Sequence, residues 1–315
     1  MRIGVVICGF ICVTQVAAQT SAQKAGTAAA NSVERGIDLA AKGQCEEALP
    51  LLKKPMPAGT DKQVKYKALM ATVRCGMSQK EDTTTVNALL ELRKDFPQDP
   101  QVLYMTSQIF LEIAERASQE LTSVAPNSYQ TKELQAESLE SQEKWAEAVT
   151  IYRKILEENP NLRGIHYRLG RAALAQPDSA TSAEDAKKEF AEELKIDPVN
   201  APAEFWLGEL ARREGQWDEA IVHFAAAAKI SPKFGDAILS LGAALNSAGK
   251  FEEAVPKLQQ YIKISPDDPA GHYQLGLAFA RLGRKEESVR EMTLQRELTE
   301  KRQAAADARA NNVPH

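Results

Sequence analysis

The sequence predicts an all-α fold, a stack of short helix-turn-helix units, and three observations predict it. Prolines recur at Pro126, Pro160, Pro198, Pro232 and Pro266, in steps of 34, 38, 34 and 34 residues. Glycines keep the same step at Gly170, Gly208, Gly242 and Gly276; twelve residues after the last three come Ala220, Ala254 and Ser288, and four further on Phe224, Leu258 and Met292. Ala, Glu, Gln and Leu outweigh the β-branched residues, which favours helix. Self-similarity at a period near 34 residues belongs to arrays in which each unit buries its apolar face only against its neighbours.

The first 18 residues are expected to be an address. Met1-Arg2 carries a positive charge, and Ile3–Val13 is an apolar run too short to span a bilayer. Val16 and Ala18 are the small residues ahead of a cut before Gln19. This is the layout of a secretory signal peptide. Neither Cys8 nor Cys12 follows the small residue that lipidation requires. Residues 19–28 are expected to be a flexible N-terminus.

From 29 to 127 the repeats are degenerate. Gly36, Leu39, Gly43, Ala48 and Leu52 fit one unit, and 61–97 and 98–127 read as helical. Between Pro100 and Pro126 there are too few residues for two helices and a loop, so a compressed turn or one long helix is expected. The clearest unit is 201–234. Phe205, Trp206, Leu207, Leu210 and Ala211 mark one face of its first helix, and Gly215 breaks the chain. Ala220, Ile221, Phe224, Ala227 and Ala228 stripe its second helix, which Pro232 closes. The same layout gives units at 128–162, 163–200, 235–268 and 269–303, the last running on into a polar capping helix. Gln176–Ser182 reads as a longer interhelix loop in 163–200, and 304–315 as a flexible tail. Gly208 and Gly242 are expected where helix backbones approach, opposite Ala220 and Ala254. Pro50 and Pro256 follow Ala48 and Ala254 by two residues, which the sequence places near a first turn, where proline is tolerated.

These residues resemble the tetratricopeptide repeat. Leu207-Gly208, Ala211, Ala220, Phe224, Ala227 and Pro232 match its pattern position by position, as do Leu241-Gly242, Leu245, Ala254, Leu258, Tyr261 and Pro266. The segment from Pro269 matches through Leu275-Gly276, Phe279 and Met292 without a final proline, and 163–200 through Leu169-Gly170, Ala173, Ala186, Phe190 and Pro198. Segment 129–162 keeps Ala136, Leu139, Ala148, Tyr152 and Pro160 but lacks the Leu-Gly pair. The resemblance implies a right-handed α-solenoid with a concave groove, lined by first helices, that binds a protein or peptide segment. It also implies the groove positions, among them Tyr167, Arg171, Phe205, Glu209, Arg212, Asn246, Tyr273 and Arg281. That set mixes aromatic rings with arginines, types enriched in interface hot spots. Beside it stands the plainer reading, rings packed between helices and arginines in water. The family's clamp for a C-terminal carboxylate, built of Lys/Arg and Asn, is not matched by Tyr167, Arg171 and Trp206, nor by Phe205, Glu209 and Ser240. Trp145 and Trp217, each opening a second helix, read as core packing.

Removal of the signal would leave two cysteines, Cys45 and Cys75. An isolated pair in an oxidising compartment points to one disulfide, and the implied stack sets the start of one helix beside the end of the next. Two buried thiols are the alternative.

The remaining features narrow the function class. Lys and Arg total 39 against 43 Asp and Glu, so no large basic face for nucleic acid is expected. No later segment approaches the ~18 consecutive apolar residues of an integral span. His166, His223, His272 and His315 are scattered, and no helical zinc-protease motif, Cys-x-x-Cys, Gly-x-Ser-x-Gly, P-loop or Gly-x-Gly-x-x-Gly occurs. Glu192-Glu193 and Glu252-Glu253 read as solvated faces. No enzyme, metal or cofactor is therefore expected. The sequence points to an exported scaffold or adaptor, periplasmic or secreted, that holds a protein or peptide segment. The alternative is a homo-oligomeric structural protein that associates through its degenerate N-terminal units.

Overall fold

A computed structural model describes residues 31–57, 59–176 and 182–311. The expected signal peptide 1–18, the N-terminus 19–28 and residues 177–181 of the interhelix loop lie outside the described residues. Every regular element among the described residues is an α-helix, and the chain folds as an α-solenoid. The helices fall into two compact units, one ending at Val124 and the other beginning at Ala125.

The first unit holds α1 (31–41), α2 (Cys45–Leu52), α3 (Lys62–Ser78), α4 (Asp82–Asp95) and α5 (Pro100–Val124). Residues 100–124 thus take one long helix of 25 residues. Asp99 starts it by accepting from the Gln101 and Val102 amides at 2.9 and 3.0 Å. Cys45 opens α2 and Cys75 lies in the last turn of α3. Their Cα atoms are 5.0 Å apart and the sulfurs are joined as a disulfide, enclosed by Val33, Ala48, Leu49 and Ala71.

The second unit is five helix pairs: α6 (Tyr129–Ser141) with α7 (Trp145–Glu158), α8 (Ile165–Leu174) with α9 (Ser182–Ile196), α10 (Ala201–Arg213) with α11 (Trp217–Ile230), α12 (Gly235–Ser247) with α13 (Phe251–Ile264), and α14 (Pro269–Arg281) with α15 (Lys285–Asn311). Each second helix packs on its own first helix and, up to α13, on the next one. Side-chain caps start several first helices: Ser128 accepts from the Thr131 amide for α6, and Asn200 from Ala203 for α10.

The turn inside each pair needs one residue at positive φ. Glycine supplies it at Gly215 and Gly249, both at φ 74°. The equivalent turn residues in two degenerate repeats are Lys80 and Glu143, at φ 57° and 59°. The backbone rule of the repeat therefore holds where its sequence signature is lost.

Three expectations change in detail. A Cβ added at Gly170 would lie 2.7 Å from the Phe190 ring, and one at Gly208 2.7 Å from Phe224. The glycines seat the large residue of the second helix rather than facing its alanine. Pro50 and Pro256 are each the sixth residue of their helix, one turn deeper than expected, and each removes a backbone donor. Both prolines are exposed, as are Glu46 and Glu252, whose carbonyls lose the partner and turn to water. Finally, α15 does not end near 303 but continues to Asn311 through Gln303–Ala306, a run of strong helix formers.

Candidate functional site

The first helices α10, α12 and α14 share one face, and a pocket of about 580 Å³ opens there at their C-terminal ends. Its walls are Arg212 from α10, Asn246 from α12, and Tyr273, Gln274, Leu277 and Arg281 from α14, with Trp217 and Phe251 at the starts of α11 and α13. A smaller hollow of about 280 Å³ shares Arg212, Tyr273 and Gln274 and adds Glu209 and Ser240. These volumes lie near or within the range of pockets that hold small ligands or side chains.

The structure therefore brings together Glu209, Arg212, Asn246, Tyr273 and Arg281. Glu209 and Arg212 form a forked ion pair, with Arg212 Nη2 2.8 Å and Nε 3.1 Å from Oε2. Ser240 adds a hydroxyl donor at 3.3 Å. Glu209 holds the Arg212 guanidinium above its usual range, outweighing burial. Arg281 is exposed, and no acidic partner for it exists among the described residues. Tyr273 leaves 49% of its surface in water.

Asn246 is only 7% exposed, and its Nδ2 donates to Gln274 O at 2.9 Å and Gln274 Oε1 at 3.0 Å. Both acceptors fix the orientation of the amide and tie α12 to α14. Its Oδ1 is buried and lacks a hydrogen-bond partner, a situation that costs about 1–3 kcal/mol.

The other three candidates lie apart from this pocket. Phe205 packs with its ring centroid 5.1 Å from Phe234, 5.7 Å from Phe224 and 5.9 Å from Trp206. It lies against the core, because its position in α10 faces α11 and the following turn, so its expected groove role is corrected to packing. Tyr167 lies 5.9 Å from Phe190, and Arg171 sits 6.0 Å over the Tyr167 ring, one repeat earlier. Sequence reasoning also missed two members. Trp217, read as core packing, and Gln274 both line the pocket. The alternation of the first-helix stripe could have found Gln274, one residue after Tyr273.

Glu193 is the larger surprise. Its residue is fully buried, and its carboxylate accepts from the Gly164 amide at 2.7 Å, the Tyr167 amide at 3.2 Å and Asn200 Nδ2 at 3.3 Å. Helix α8 starts at Gly164, which has no side chain to cap it, so the acid of α9 reaches across and meets the free amides and the positive end of the helix dipole. Glu252 and Glu253 are exposed as expected. The described histidines also serve packing: His166, His223 and His272 each place Nδ1 2.6 Å from a glutamate of the partner helix, Glu189, Glu204 and Glu291. Among the described residues, no group of three His, Cys, Asp or Glu is placed to hold a metal ion, and no helix is long and apolar enough to cross a membrane.

A tetratricopeptide-repeat model matches residues 133–186 and 167–233, and a TPR-repeat model matches 242–283. These segments are tetratricopeptide repeats. They cover the walls of the pocket almost entirely, from Arg212 to Arg281. A comparison with curated proteins finds no match. Among solved structures, YrrB, described as a TPR protein with an unusual peptide-binding site, is 18% identical; the match covers 62% of this chain and 98% of YrrB at a TM-score of 0.51. MamA from Desulfovibrio magneticus RS-1 is 18% identical over 56% of this chain and 97% of its own, at a TM-score of 0.50. At such identity these likenesses show the fold alone.

Proposed function

We propose that this chain is a scaffold or adaptor that holds a segment of another protein on the face of its first helices, and that it works outside the cytoplasm, in the periplasm or as a secreted protein. The observation that carries the reading is the pocket across α10, α12 and α14. Aromatic rings and an unpaired arginine converge there on a rigid frame of packed helices, with no arrangement for bond-making chemistry. Hot-spot residues of this kind anchor protein segments. The fold supports it, since stacked helix pairs present extended surfaces of this sort. The N-terminal signal pattern supports the exported setting, and the Cys45–Cys75 disulfide agrees with an oxidising compartment.

Affinity capture from an envelope extract tests the reading. The bait is the chain beside its Tyr273→Ala variant, which removes an exposed ring without opening the core. A discrete partner held by the parent and lost by the variant is expected. Equal capture by both would move the site off this face.

A second reading, self-association, is favoured by one observation. Helix α5 buries Val102 and Ile109 but exposes Leu103, Tyr104, Phe110 and Leu111, at 42 to 68% of their surface. An exposed stripe of that kind marks an interaction surface. Sedimentation of the chain over a range of concentrations, beside Leu111→Lys, separates this reading from a monomeric adaptor.

A further inference from the structure

Charge on the first-helix face runs against the charge of the molecule. The chain as a whole carries 43 acidic against 39 basic residues. Around the pocket the balance is reversed. Arg212 is matched by Glu209, whose two oxygens are taken up by that guanidinium and by Ser240. Arg281, on the wall of the pocket, has no acidic partner among the described residues. Arg213 and Arg171 are likewise exposed arginines of first helices without one. The nearest acid on α12, Asp236, is in the first turn of that helix, whereas Asn246 is in the last. Ten residues of helix separate them, roughly 15 Å, more than a Debye length at physiological salt. Beside the free guanidinium stand the rings of Tyr273, Trp217 and Phe251.

We infer that the occupant of this pocket is an acidic protein segment: an Asp or Glu side chain that pairs with Arg281, next to an aromatic or aliphatic residue that packs against Tyr273 and Trp217. This rests on the reading of the face as a protein-binding groove and adds the class of sequence it selects. A guanidinium without a fixed partner forms charge-assisted bonds to a carboxylate. An acidic segment is repelled by most of this acidic surface and attracted here, so the pairing also selects the place of binding. A basic segment would meet unpaired arginines at the pocket and gain nothing there.

The test is selection of a phage-displayed random dodecapeptide library on the full chain, with parallel selections on Arg281→Gln and Tyr273→Ala, each first checked for unchanged helix content. The expected outcome is enrichment of peptides with Asp or Glu beside an apolar residue. A synthetic enriched peptide should then bind the Arg281→Gln chain roughly fivefold more weakly, as for a partly exposed ion pair, and bind the parent more weakly as salt rises from about 0.05 to 0.5 M. Enrichment of neutral or basic peptides that require Tyr273 would overturn the acidic occupant while leaving the groove in place. Enrichment of no peptide that depends on Tyr273 would overturn the groove reading as well.

Discussion

Glu193 and Gly208 show how single residues hold the stack. The Glu193 carboxylate is buried and accepts three hydrogen bonds, two from amides at the start of α8. Hydrogen bonds to a charged group contribute about 1.5–3 kcal/mol each, so Glu193→Gln, which puts an NH2 among donors, should cost roughly 2–3 kcal/mol. Urea unfolding followed by the fluorescence of Trp206 measures it; a midpoint equal to that of the parent would remove this role. Gly208→Ala would place a methyl 2.7 Å from the Phe224 ring. The forced shift costs about 1–3 kcal/mol against a gain of up to ~1 kcal/mol in helix propensity, so a net loss is expected in the same assay. Asp268 ties three helices together: it caps α14, accepts from the Tyr261 hydroxyl of α13 and pairs with Arg302 of α15 at 3.0 Å. Burial pushes the Asp268 carboxyl up, but Tyr261, the Ala270 amide and Arg302 outweigh it and hold it below the usual carboxylate range. Burial together with Asp268 pushes the Tyr261 hydroxyl up to about 12. A depressed carboxyl stabilises the fold above its unfolded value and loses that contribution as pH falls toward the folded one. Asp268→Asn should therefore lower stability at neutral pH and flatten its decline below about pH 4. A parallel acid limb in both chains would contradict this.

At the scale of elements, the turns and the disulfide decide the degenerate repeats. Glu143 occupies a turn position at φ 59°, where clear repeats place glycine. The left-handed conformation costs an ordinary residue about 1–2 kcal/mol, partly offset by the greater entropy glycine loses on folding. Glu143→Gly should raise the melting temperature, by roughly 0.5–1 kcal/mol of stability; a lower melting temperature would refute that role. Reduction of the disulfide opens a crosslink that spans 30 residues from α2 to α3. The expected loss is about 3–4 kcal/mol, visible as faster amide exchange in α2 and α3, and unchanged exchange would contradict it. The helix pairs from 163 to 303 were legible because Gly, Ala, large and Pro residues recur at a fixed step. Helix α5 was less so: it lacks an internal Gly or Pro to mark a turn, and its 25 residues satisfy helix periodicity without one. The end of α15 was missed because an Ala-rich polar run reads equally as tail or as helix.

For the whole molecule, the functional claim lies in a face and not in any one side chain. Repetition made that face legible, since residues at equal steps in α10, α12 and α14 must line up when the helices stack. Five of the eight groove candidates do converge on the two hollows. The three that do not were lost to packing that periodicity cannot resolve. An aromatic such as Phe205 serves equally at the border of core and groove, and only the neighbouring Phe224 and Phe234 rings decide it. Glu193 was illegible for a related reason: its partners are backbone amides of another helix, which leave no mark in the sequence. The direct test is site-specific photo-crosslinking. A benzophenone side chain replaces either Tyr273, on the first-helix face, or Val222, 65% exposed on the outer side of α11, in the cell that makes the protein. A discrete crosslinked partner from position 273 and none from 222 is the result the account predicts. Crosslinks from 222 alone, with position 273 silent, would contradict it.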